Sequence, residues 1–168
     1  VGVVALGGLC ALAAVAGGMV VLKGRHDGAT KVIKLSAEAG GLRKTADDPA
    51  ASVAYPFIAE AVRRGRLAGA QQTSAVYTGS SRDVLFVGGT ASIADPAAFL
   101  DRARPNTVLS FQRNGTAACG TFAVLSAVHP YCAWATSGSY GFVASNAPAQ
   151  DTVDLAKLAS RMRADLDG

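Results

Sequence analysis

CGTFAVLSAVHPYCAWATSGSYGFVAS, residues 119–145, is the stretch whose reading decides the fold. It divides into three strand-like runs, Cys119 to Val128, Tyr131 to Thr136 and Tyr140 to Ser145, separated by His129-Pro130 and Ser137-Gly138-Ser139. Connections this short cannot hold the crossover that parallel neighbours require, so the runs predict an antiparallel meander. Cys119 and Cys132 fall in consecutive runs, as neighbours in such a sheet can.

Upstream of the meander, Thr107 to Gln112 reads as another strand that turns at Arg113-Asn114-Gly115. Thr73 to Tyr77 and Asp83 to Val87 flank the polar segment Thr78 to Arg82 as a hairpin, with Gly88-Gly89 expected to end the second arm. Lys31 to Ser36 alternates enough for a first strand, which Gly40-Gly41 should terminate. Two helix starts carry a cap residue before a first-turn proline, Asp48-Pro49 and Asp95-Pro96. The first of these helices should present Val53, Phe57, Ile58, Ala61 and Val62 and close in Arg63-Arg64-Gly65-Arg66. The second, Ala97 to Arg104, should turn Phe99 and Leu100 inward. Downstream, Asp151 to Leu166 carries Leu155, Leu158, Ala159, Met162 and Leu166 on one stripe, with acidic residues early and basic residues late to match the helix dipole. The expected fold class is α+β, an antiparallel sheet packed with helices, the final helix covering one face.

Residues 1–22, VGVVALGGLCALAAVAGGMVVL, have a different composition. No charged residue precedes Lys23, and the length matches the ~20 apolar residues that cross a hydrocarbon core. We expect one transmembrane helix at 1–22, a juxtamembrane linker at 23–29 and a single domain at 30–168. Gly7, Gly8, Gly17 and Gly18 would supply a helix-packing face in the membrane. A cleaved signal peptide would use Ala14-Val15-Ala16, but the apolar run continues to Leu22. A lipid anchor at Cys10 lacks the usual small residue before the cysteine, and a buried soluble helix would show a polar face.

Lys23 and Arg25 would by themselves place the domain in the cytoplasm. Against them stands the cysteine count. Beyond Cys10 the chain has only Cys119 and Cys132, and a single pair suits a disulfide in an oxidising compartment. Two buried free thiols are the alternative. We therefore expect a cell-membrane protein, single-pass, with an extracytoplasmic domain.

The composition is globular: 50% hydrophobic and 17% charged, with mean hydropathy +0.27 and net charge +4. Arginines are scattered among carboxylates, so no nucleic-acid partner is expected. Membrane lipid, and a membrane-protein or cell-envelope component, are the expected partners. His26 and His129 are the only histidines, and neither has the neighbours of a metal site. Gly88-Gly89-Thr90 lacks the lysine and spacing of a phosphate loop, so no cofactor is expected. His129 has no Gly-x-Ser-x-Gly partner and reads as a turn or edge residue. Glu38, Glu60, Asp83 and Asp101 suit solvated or capping roles rather than paired acid chemistry. Asn114-Gly115-Thr116, formally a glycosylation sequon, reads as a turn, and Trp134 as core packed on the cysteines.

Cys119, the Cys132-Ala133-Trp134-Ala135 stretch, Gly141-Phe142-Val143 and the helix ending Ala159 to Arg163 together resemble a loose group of actinobacterial single-pass membrane proteins. The likeness covers mainly Arg82 to Met162. It implies a small disulfide-containing domain outside the membrane and no catalytic residues. The chain departs from the group in having Arg113 to Ala118, instead of a Gly-rich run, ahead of Cys119. The expected function is a membrane-anchored binding or accessory domain without catalytic activity. The alternative is a cell-envelope hydrolase centred on His129 with Ser126 or Ser139.

Overall fold

The computed structural model describes residues 32–148 and 151–168. Eight strands form one antiparallel sheet: β1 Glu38–Ala39, β2 Leu42–Ala46, β3 Gln71–Thr78, β4 Asp83–Thr90, β5 Val108–Asn114, β6 Ala117–Val124, β7 Ala127–Ala135 and β8 Ser139–Ser145. Their order is β1-β2-β3-β4-β8-β7-β6-β5, so two four-strand meanders join where β4 pairs with β8. Three helices complete the fold: α1 Tyr55–Arg64, α2 Pro96–Arg102 and α3 Thr152–Leu166. The predicted α+β class is therefore correct for the described residues. None of their helices is long and apolar enough to cross a membrane. The segment 1–22, with Gly7, Gly8, Gly17 and Gly18, lies outside the described residues, as does His26.

Helices cover both faces, which explains the density of apolar residues in the central strands. Val84 and Phe86 of β4, Cys132 and Trp134 of β7 and Val143 of β8 pack with Leu155, Leu158, Met162 and Leu166 of α3. Their alternates, Leu85, Val87, Tyr131, Ala133, Tyr140 and Phe142, pack on the opposite face with Ile58 and Val62 of α1 and Phe99 and Leu100 of α2. Side chains alternate along a strand, so a strand buried on both sides shows no polar face. All seven residues of β8 are buried for this reason.

The helices follow the sequence closely. The Asp95 carboxylate caps α2 by accepting from the Ala98 N–H at 2.9 Å, and Asp151 caps α3 by accepting from Val153 N–H at 2.8 Å. Asp48 caps a 3₁₀ turn, Pro49–Ala51, rather than a long helix. The helix proper begins at Tyr55 with Pro56 in its first turn, and Val53 lies outside it, 54% exposed.

Four expectations about the strands need correction. Lys31 to Ser36 is not a strand among the described residues; Ile33 makes a single bridge to Asp167, and β1 begins at Glu38. Gly40-Gly41 ends a strand other than the expected Lys31 to Ser36: it follows Ala39 of β1 and forms the β1–β2 turn, with both residues at positive φ. Gly88 and Gly89 do not terminate β4. They pair with Gly141 and Tyr140 of β8, and a Cβ on Gly89 would stand 1.8 Å from the Gln71 carbonyl oxygen. Glycine is required there by close backbone approach.

The fourth correction concerns His129-Pro130, which lies inside β7. The chain turns at Leu125-Ser126, where Leu125 adopts φ +55° and is 98% exposed. Proline is tolerated because the β7–β8 ladder stops at Tyr131 opposite Ala144, one residue short of it.

Candidate functional site

The disulfide expected from the two cysteines is present. β6 and β7 pair in unbroken register from Ala117 opposite Trp134 to Val124 opposite Ala127, which sets Cys119 directly across from Cys132. Their Cα atoms are 4.1 Å apart, the close spacing of a non-hydrogen-bonded antiparallel pair, and the two Sγ atoms are bonded. Cys132 is buried and Cys119 is half-buried.

Above the disulfide, α3 leaves a cleft of about 130 Å³. Ala117, Cys119, Cys132 and Trp134 form its sheet side, and Ala156, Ala159, Ser160 and Arg163 form its helix side. Leu155, Leu158 and Met162 of the same helix fill the core beside it. The helix therefore presents bulky side chains to the core and small ones to the cleft beside the sulfurs. At 3.6 residues per turn, 156, 159, 160 and 163 make one continuous stripe.

Trp134 bounds the cleft on its inner side. It is 2% exposed, stacks on Phe86 with ring centroids 6.0 Å apart, and lies across Gly141 of β8. Its Nε1–H has no hydrogen-bond partner among the described residues. The expectation that Trp134 is core beside the cysteines is correct. Arg163 is the one charged residue on the cleft wall, and its Nε lies 3.6 Å from an oxygen of the buried Asp167. Asp167 also accepts the Ser139 hydroxyl at 2.8 Å, tying the end of α3 to the start of β8.

The residues of the hydrolase alternative are not brought together. His129 is buried in β7, its ring beside Phe122, with Nδ1 3.0 Å from the Ser145 carbonyl oxygen. Ser139 occupies the other end of β8, about 20 Å away at ~3.3 Å per strand residue. Ser126 is exposed in the β6–β7 turn, and no hydrogen bond joins it to His129 among the described residues. His129 thus caps a carbonyl where the ladder meets Pro130, inside a strand and not at a turn.

On the opposite face, Tyr131 and Tyr140 are fully buried, and their hydroxyls have no partner among the described residues. Burial pushes each phenol up to about 12; the Arg104 guanidinium offsets part of the effect at Tyr131. Neither is a source of phenolate near neutral pH. Arg104 stacks on Phe111, 3.7 Å from the ring centroid, and bonds Asp101, as does Arg113. This cluster stitches α2 to β5.

Among the predicted site residues, the structure unites Cys119 and Cys132. The cleft wall was not anticipated from sequence. Its signal was present as the small residues Ala156, Ala159 and Ser160 beside the leucine stripe, but their meaning depends on which strand they face. No protein-family model, curated protein or solved structure matches the chain.

Proposed function

We propose that the chain is a membrane-anchored binding or accessory domain without catalytic activity, carried outside the cytoplasm by residues 1–22. The observation that carries this reading is the Cys119–Cys132 disulfide, the kind of bond that persists in oxidising compartments. It outweighs Lys23 and Arg25, which argue for the opposite orientation. The uncharged run 1–22 supports the anchor. Its glycines Gly7, Gly8, Gly17 and Gly18 would serve a membrane-protein partner, and the cleft under α3 a cell-envelope one. The separation of His129 from Ser139 supports binding over hydrolysis. The resemblance to actinobacterial single-pass proteins belongs to the same reading.

Labelling of intact cells with a membrane-impermeant maleimide tests it. Cys119 and Cys132 should react only after an impermeant reductant is added, and without lysis. Thiols that react only after lysis would reverse the orientation. Recovery of the full chain from the soluble fraction would remove the anchor.

A further inference from the structure

We propose that the Cys119–Cys132 bond is a thiol–disulfide exchange site, reducible in the folded domain by a dithiol that enters the cleft beside α3. Three independent features converge on it, and none requires the membrane placement.

The first is access. Cys119 is half-buried while Cys132 is 2% exposed, and both line a surface cleft. Exchange requires a thiolate to approach one sulfur along the S–S axis from the side away from the other. Cys119, the more exposed of the two, is the sulfur assigned to that attack. The small side chains of Ala156, Ala159 and Ser160 keep that side open, where α3 elsewhere presents leucine and methionine.

The second is redundancy in the fold. The cysteines are held opposite each other by eight consecutive β6–β7 register pairs. These strands are a hairpin closed by a two-residue turn, so the ladder already brings the cysteines together when the bond is open. Cys132 and Trp134 also pack with Leu155, Leu158 and Met162 of α3, contacts that do not depend on the bond.

The third is charge. Arg163, the one cation on the wall, favours the thiolate that forms, although Asp167 at 3.6 Å offsets part of its field.

The step is as follows. The thiolate of a dithiol attacks Cys119 Sγ, the S–S bond breaks, and Cys132 leaves as a thiolate that then takes a proton. The second thiol, as thiolate, attacks the mixed disulfide and releases Cys119, which is protonated in turn. The dithiol is oxidised to its own disulfide, and the protein cystine is reduced to two thiols.

Dithiothreitol acting on the full chain in mild detergent provides the test, with free thiols alkylated at intervals and counted by mass. Trp134, the only tryptophan, reports the reaction directly, because a disulfide quenches a neighbouring indole. Reduction should proceed at a rate independent of urea below the unfolding transition, with rising fluorescence and unchanged far-UV circular dichroism. Ala156→Leu fills the cleft and should slow native reduction by about tenfold while leaving the rate in denaturant unchanged. Ser160→Leu, at an exposed position on the same wall, serves if Ala156→Leu does not fold. Reduction that tracks global unfolding, or a native rate insensitive to the folded wall variant, would overturn the proposal. A bond that resists native reduction would leave Cys119 and Cys132 unlabelled by maleimide both before and after lysis, whereas the opposite orientation gives thiols that react on lysis alone, so the two failures are distinguishable.

Discussion

Gly141→Ala is the most informative single perturbation of the cleft region. Gly141 stands opposite Trp134 in the β7–β8 ladder, and a Cβ there would lie 2.3 to 2.6 Å from three atoms of the indole. Phe86 stacks against the ring, which is 2% exposed, so relief of the overlap requires a shift of the indole toward the cleft that breaks this stacking. Overpacking of this kind costs about 1–3 kcal/mol. Gly141 is not among the positive-φ glycines, so alanine suits its backbone and stiffens the unfolded chain, a gain of about 0.4–1 kcal/mol. The net expectation is a loss of about 1–2 kcal/mol. Urea titrations followed by far-UV circular dichroism measure it. In a Trp134→Leu background the overlap is absent, and Gly141→Ala should be neutral or stabilising by up to about 1 kcal/mol. Equal effects of Gly141→Ala in both backgrounds would refute the placement of the indole over Gly141.

Tyr131 and Tyr140 set a pH limit. Their unfolded value is 10.0 and burial raises the folded value to about 12, so the folded state holds its protons longer. The stabilisation is complete below pH 10 and is lost as pH rises from 10 to about 12, on the order of 2–3 kcal/mol per ring. Tyr140→Phe should flatten that decline in chemical denaturation at pH 11 and be neutral or mildly stabilising at pH 7; a steeper decline would contradict the assignment. Leu125→Gly relieves a left-handed leucine that is 98% exposed, and thermal unfolding should show a gain of up to about 1 kcal/mol. The double variant Cys119→Ser with Cys132→Ser should lose about 2–3 kcal/mol in urea titrations yet keep the circular dichroism of the parent. A chain unfolded without the bond would show that the β6–β7 ladder does not hold alone.

How much was legible depended on how local the cause was. The ends of α2 and α3 could be read because Asp95-Pro96 and Asp151 act on N–H groups two or three residues away. The β3–β4 hairpin could be read from its polar turn. The β6–β7 turn could not, since Leu125-Ser126 contains neither Gly nor Asn while His129-Pro130, inside the strand, looks like a break. Proline survives there because the neighbouring ladder has ended, a fact of sheet position. Gly88-Gly89 misled for a similar reason: Gln71 and Tyr140 crowd it from strands distant in the chain. In the candidate site the cysteines were visible as a pair, but the wall of α3 was not.

The sequence by itself determined the α+β class, the inward faces of α2 and α3 and the two cysteines as neighbours, because capping, periodicity and short connections act within a few residues. Only the tertiary structure decided the eight-strand order, the burial of His129 as a carbonyl cap and the opening above the disulfide. These depend on which residues distant in sequence arrive at the same place. The cleft exists because a stripe of small residues on α3 meets β6 and β7 at the bonded sulfurs, and no local pattern specifies that meeting.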